Sequence, residues 1–292
     1  MYCEILKKYY KNDLIINSID DFIHMLYTLR YWCIEKIPYE IYDYILANKI
    51  MIEIYYDILK DIFHDFLFLE EFQILFRFEK ESICINAAFN GHLEILKYAH
   101  ENGCPWDQYT CKYAVENGHL AILKYAHENG CPWDKDTCEY ASKNGHLDCL
   151  TYAHENGCPW DEYTCSSASR NGHLDCLKYA HKNGCPWDEW TCRNASRRCH
   201  LDCLKYAHEN GCPWDKDICK YAALFGQLDC LIYAHQNGCP WDSWSCRCAS
   251  ENGHLEILKY LHENGCPWDE NTCLKLAKKN NHLECVKYIE DN

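Results

Sequence analysis

Gly118-His119-Leu120-Ala121-Ile122-Leu123-Lys124-Tyr125-Ala126-His127-Glu128-Asn129-Gly130-Cys131-Pro132-Trp133-Asp134 is one copy of a segment that returns every 27 residues. The opening Gly-His-Leu recurs from Gly91, Gly145, Gly172 and Gly253, and Cys-Pro-Trp-Asp begins at Cys104, Cys131, Cys158, Cys185, Cys212, Cys239 and Cys266. Self-similarity at a fixed step is the signature of a solenoid. Each copy resolves into two short antiparallel helices. Asp107 is an acidic N-cap, residues 108–117 follow as a helix, and Gly118 stands where a C′ residue needs positive φ. The second helix runs from about His119 to Asn129 and ends at Gly130; Leu120, Leu123 and Ala126, with Ile122 alongside, give it one apolar stripe. Pro132 forbids further helix and Asp134 caps the next one.

Outward from this copy, Cys84 and Ala87 keep the separation of Cys111 and Ala114, so residues 82–89 are expected to form a first helix that lacks its preceding turn. Second helices start at Gly91, Gly118, Gly145, Gly172, Cys199, Gly226, Gly253 and Asn281, giving eight helix pairs over residues 80–292. The last step is one residue longer, and terminal repeats deviate because they cap the stack. Residues 1–79 do not repeat; their aromatic and β-branched runs, such as Ile52-Glu53-Ile54-Tyr55-Tyr56-Asp57-Ile58-Leu59, predict a helical N-terminal region packed on the array as a cap.

With 48% hydrophobic and 14% aromatic residues, the 292-residue chain can bury a large core, which excludes general disorder. A formal net charge of -15 argues against nucleic acid as a partner, whose phosphates call for a basic surface. The first residues, Met1-Tyr2-Cys3-Glu4-Ile5-Leu6-Lys7-Lys8, lack an uninterrupted apolar run, and no later segment is long and apolar enough for a bilayer. The expectation is a soluble, cytoplasmic protein with no membrane partner. The 24 cysteines are then read as free thiols in a reducing compartment, most of them small hydrophobes at fixed places in the repeat.

Gly118-His119-Leu120-Ala121-Ile122-Leu123-Lys124 followed by Glu128-Asn129-Gly130 resembles the second helix of an ankyrin repeat, and Gly253-His254-Leu255-Glu256-Ile257-Leu258-Lys259 does so most closely. Cys111 and Ala114 fall where the Leu and Ala of the family's Thr-Pro-Leu-His-x-Ala signature lie, although Thr110 takes the place of its proline and Tyr113 lies near that of its histidine. An ankyrin repeat has about 33 residues, so roughly six are missing, between Asp134 and Thr137, where a β-hairpin finger would project. The chain is similar to the shortened ankyrin-type arrays encoded by giant DNA viruses that replicate in host cytoplasm. What this resemblance implies is an all-α, right-handed solenoid without fingers, acting as a protein-interaction scaffold whose first helices line the concave side. A second, slighter resemblance joins Ile37-Pro38-Tyr39-Glu40-Ile41-Tyr42-Asp43-Tyr44-Ile45 to the opening of an F-box. It implies an alternative, a substrate-recruiting adaptor that binds ubiquitin-ligase subunits.

Cys104, Cys111 and His119 recur as Cys-x6-Cys-x7-His, a ligand set that zinc accepts, but Gln227 replaces the histidine in one repeat while Cys212 and Cys219 remain. No metal and no other cofactor is therefore expected. The same residues recur with equal status, whereas catalysis needs one singular constellation, so no enzymatic activity is expected. His119-type residues are read as supports of the turn between helices, and His127-type residues as charges near the negative end of the second helix. The tryptophan ladder from Trp106 to Trp268 and the tyrosine ladder from Tyr98 to Tyr260 are both read as core.

What varies between copies is one face of the first helix, the positions of Tyr109, Lys112, Tyr113 and Glu116 at i, i+3, i+4 and i+7. Aromatic and basic residues collect there, the types enriched in interface hot spots. The partner-binding candidates are Tyr109, Lys112, Tyr163, Arg170, Trp190, Arg193, Arg197, Lys220, Trp244 and Arg247. The expected partner is a protein that is acidic at the contact.

Overall fold

The computed structural model of the chain describes residues 80–292 apart from His92 and Asn102. The expected N-terminal cap and the F-box-like stretch at residues 37–45 lie outside the described residues. The chain divides into two compact units, Met1–Trp106 and Asp107–Asn292.

Of the first unit, the described part is one helix pair, α1 (Lys80–Asn90) and α2 (Leu93–Glu101), which pack on each other around Cys84, Ala87, Leu96 and Ala99. The second unit holds seven pairs: α3 (Gln108–Glu116) with α4 (Leu120–Glu128), α5 (Lys135–Asn144) with α6 (Leu147–Glu155), and α7 (Glu162–Asn171) with α8 (Leu174–Lys182). Then come α9 (Glu189–Arg198) with α10 (Leu201–Glu209), α11 (Asp217–Phe225) with α12 (Leu228–Gln236), α13 (Ser243–Asn252) with α14 (Leu255–Glu263), and α15 (Glu270–Lys279) with α16 (Leu283–Asp291). First helices stack on first helices and second helices on second helices, each pair closing on itself. The described residues form helices and no strands, and six residues, Asn129 to Asp134, bridge α4 to α5 where a finger would stand.

Local chemistry sets most starts of the first helices and the turns that follow. Asp107, Asp134, Asp161, Asp188 and Asp242 sit in extended backbone and accept the N–H two residues on, as the Asp107 carboxylate does from Tyr109 at 3.0 Å. Gly118, at φ 74, turns α3 into α4, and His119 N–H reaches back to Ala114 O at 2.8 Å. The second helices end on asparagine, whose amide bonds the carbonyl four residues back, as Asn129 does to Tyr125 at 2.8 Å.

Cys, Ala and Leu fill the interior: around α7 and α8 these are Cys165, Ala168, Cys176, Leu177, Ala180 and Cys185, all under 5% exposed. Small residues let helices of nine or ten residues approach closely. The thiols also close the backbone account, because Cys131 donates to Asp107 O at 3.3 Å and Cys158 to Asp134 O at 3.2 Å, each reaching one repeat back. Burial pushes the thiols of Cys149, Cys176 and Cys203 up to about 12, so they pack as neutral groups.

The aromatic ladders correct the sequence reading. Trp133, Trp160, Trp187, Trp214, Trp241 and Trp268 are half-buried rather than core. Each indole stacks on the histidine that closes the preceding second helix, Trp187 on His181 at 3.8 Å between ring centroids, and at Trp133, Trp160, Trp187 and Trp241 the tyrosine of the next repeat covers the indole edge, Tyr206 lying 6.3 Å from Trp187. The histidine then joins that tyrosine, with His181 Nδ1 at 2.9 Å from Tyr206 Oη. The physical reason is the plate that histidine supplies: the indole gains a stacking surface on the flank of the repeat and has no need to enter the interior.

Candidate functional site

Asp188 caps α9 and so starts its first turn with Trp190 pointing outward; Arg193 and Arg197 follow at helical spacing on the same side. The equivalent turns of α3, α7 and α13 present Tyr109, Tyr163 and Trp244. All four aromatics are exposed, Tyr163 and Trp244 each by 54%. Large apolar groups left in water at one register, over a core that buries Leu123, Leu150, Leu177, Leu204, Leu231 and Leu258, mark a surface available for contact.

The cations of this face are not equivalent. Arg193 is clamped by acids of its own chain: it is paired with Asp215 through both Nε and Nη2, and with Glu189 at 3.6 Å and Asp217 at 3.6 Å. That bond to Arg193 is what holds the Asp215 carboxyl below its ordinary value. Lys112 lies 3.3 Å from Asp136 and over the Tyr140 ring at 4.1 Å. Lys220 meets Asp217 at 3.4 Å, and Arg247 meets Asp269 at 3.6 Å while covering Trp244 at 5.1 Å. Three neighbouring carboxylates of its own chain thus already hold Arg193.

Arg170 and Arg197 behave differently. Arg170 is exposed, and Arg197 lies over the Phe225 ring at 4.7 Å with its Nε lacking any hydrogen-bond partner. Lys143, one repeat earlier, leans on Tyr140 at 4.7 Å. Among the described residues none of these three forms an ion pair. They occupy one register in the last turns of α5, α7 and α9, giving a basic row beside the aromatic one. Lys143, Tyr221 and Phe225 were absent from the sequence-derived candidates. Tyr221 lies 6.5 Å from Trp190 and Phe225 is 38% exposed, so both extend the aromatic surface around α9.

The pairing has a signature in the sequence. Lys112 and Asp136, and likewise Arg193 and Asp217, are 24 residues apart, so a cation at the second register precedes an acid at the first register of the next repeat. Where that next residue is aromatic, as for Ser166 ahead of Trp190, no such pair exists.

Among the described residues cysteine and histidine do not converge on a ligand site. Cys111 and Cys131 are buried free thiols, Cys131 donating to Asp107 O at 3.3 Å, whereas His146 and its equivalents lie against the preceding turn glycine. Among the described residues no three His, Cys, Asp or Glu side chains are grouped as a metal would require, and no helix is long and apolar enough to cross a membrane.

No protein-family model matches the chain, and no curated protein matches it either. Among solved structures it is similar to the human ASB11 ankyrin repeat domain, at 16% sequence identity and a TM-score of 0.52, over 61% of this chain and 96% of that one. At this identity the likeness shows the fold alone, an ankyrin-like stack of helix pairs.

Proposed function

We propose that the protein is a non-enzymatic scaffold that binds an acidic segment of another protein along the face of its first helices. The observation that carries this is the row Lys143, Arg170 and Arg197, three cations without an acidic partner among the described residues, in a chain of net charge -15 that neutralises its other face cations internally. Beside that row stand Tyr163 and Trp190, exposed aromatic anchors. Packed helices lie about 8–10 Å apart. A polyproline II segment advances about 9 Å in three residues and returns to the same side, so acids at every third position match successive repeats. Arginine grips such carboxylates in a bidentate fork.

A labelled peptide carrying glutamate at every third position tests the reading by fluorescence anisotropy against a lysine-substituted twin. Binding should weaken with salt and fall at least about tenfold in Lys143→Glu with Arg170→Glu, a loss of roughly 1.4 kcal/mol or more. Arg193→Gln should change it far less. Equal binding of the two peptides, or full binding by the double variant, sinks the reading.

A further inference from the structure

The cationic row stops sharply on both sides. At the register of Lys143, Arg170 and Arg197, the preceding first helix α3 carries Glu116, and the two that follow, α11 and α13, carry Leu224 and Glu251. Along the stack the register therefore reads acid, three cations, apolar, acid. Neither Glu116 nor Glu251 forms an ion pair among the described residues, so these end charges stay uncompensated. Lys278 takes the same register in α15 but is held by Glu290 at 2.6 Å.

The apolar step is doubled by its neighbour. The residue after this register is Asn117, Asn144, Asn171 and Asn252 in four of the repeats, but Phe225 in α11, where it is 38% exposed with Arg197 over its ring at 4.7 Å. Between the aromatic and the cationic registers α7 also leaves a shallow trough. Its middle positions hold Ser166 and Ser167, whereas every other first helix of the second unit carries at least one longer side chain there, as Lys112 and Tyr113 do in α3. A backbone crossing α7 can approach closely, with Tyr163 on one side of it and Arg170 on the other.

We infer, resting on the scaffold reading proposed above, that the bound segment carries a bounded pattern at every third position: a cation, three acids, an apolar residue and a second cation. These face Glu116, then Lys143, Arg170 and Arg197, then Leu224 with Phe225, and last Glu251. Attraction at the centre sets affinity, and repulsion at the ends rejects segments whose acids run on. A carboxylate laid on Leu224 and Phe225 loses water and gains no donor from them, whereas a leucine there buries apolar surface. The register thus selects a short acidic block and not a long polyanion.

The test uses the full chain and two labelled peptides with proline between the reading positions, compared by fluorescence anisotropy. One carries lysine, three glutamates, leucine and lysine at successive third positions; the other carries glutamate at all of them. Each is made in both sequence orders, because a polyproline II segment returns to one side every three residues whichever way it runs. The better order of the bounded peptide should bind at least about threefold more tightly than the all-glutamate peptide, the size expected of a few exposed charge contacts. Leu224→Arg with Glu251→Arg extends the cationic row and should reverse the preference, while Glu251→Arg alone, at an exposed position, should narrow it. Equal binding of the two peptides to the unaltered chain, or tighter binding of the all-glutamate one, overturns the bounded pattern and leaves a general acid-binding face. Binding of neither peptide overturns the scaffold reading as well. Self-association of the chain that high salt reverses and Arg170→Glu abolishes would give the row to a second copy and likewise overturn the proposal.

Discussion

The flank where repeats are joined and the face of the first helices are built from the same helix pairs but obey opposite rules. On the flank one contact is made again and again: His127 to Tyr152 at 3.1 Å, His154 to Tyr179 at 3.0 Å, His208 to Tyr233 at 2.9 Å and His235 to Tyr260 at 2.8 Å. The longer last repeat keeps it, His262 reaching Tyr288 at 2.9 Å over one extra residue. On the face no contact recurs throughout. Arg193 is held by three acids, Arg197 covers a phenylalanine and Arg170 stands open. Repetition of sequence is thus repetition of contact, and the stack constrains the face registers only where a neighbour supplies a charge.

The first way to break this comparison is to remove one side chain from each place in the middle of the second unit. Leu177 is fully buried, and Leu177→Ala should cost about 3 kcal/mol. Trp187, half-buried on the flank, should cost about 2 kcal/mol on replacement by alanine, since only part of its area leaves water on folding. Trp190→Ala on the face should cost under about 1 kcal/mol. Denaturant melts that rank Trp190 with Leu177 would show that the face is structural after all.

Most of the core and the caps was legible in the sequence because each depends on neighbours within one repeat. Asp107 caps the helix that starts next to it, and Gly118 takes the positive φ its own turn demands. What failed were contacts between repeats. Trp187 after Gly-Cys-Pro reads as core until His181, six residues earlier, is seen to provide a plate for it. Arg193 reads as open until Asp215 and Asp217, 22 and 24 residues later, close on it. Spacings a little short of one repeat measure distance between neighbours in the stack, and the acids at those spacings were visible without being read that way.

A sharper version exchanges a regular joint for the irregular one, where Cys199 at φ 62 replaces the turn glycine and Gln227 the histidine that lies against it. Gly145 holds φ 78, and a methyl there would stand 2.5 Å from His173 Nδ1, so Gly145→Ala should cost about 1–3 kcal/mol through backbone strain and displacement of the ring. Adding His173→Gln recreates the Cys199 and Gln227 arrangement and should return part of that loss. A double-mutant cycle measures the coupling directly. Strict additivity of the two changes would mean that the paired exchange at Cys199 and Gln227 is not a steric compensation.

The smallest effect separates flank from face by pH. Burial lowers the pKa of His181 on the flank, and burial also lowers that of His173 at the turn, helped by His200 and His146 and opposed by the carbonyl of Lys143. A histidine lowered on folding binds its proton more weakly in the native state, so between its native value and the ordinary value near 6.5 the unfolded chain holds more protons and stability rises with pH. That contribution is complete above about pH 7 and is lost as pH falls through 6.5 toward the native value. Both rings are partly solvated, so the loss should stay under about 1 kcal/mol. Keeping above pH 5 leaves Asp215 and Asp242, whose carboxyls are lowered, ionised throughout. Urea melts at pH 7.5 and 5.0 should show the decrease, and His173→Gln with His181→Phe should flatten it, whereas Arg170→Gln on the face should leave it unchanged. A slope that survives loss of both histidines would place the titrating groups elsewhere and remove the pH distinction between the two regions.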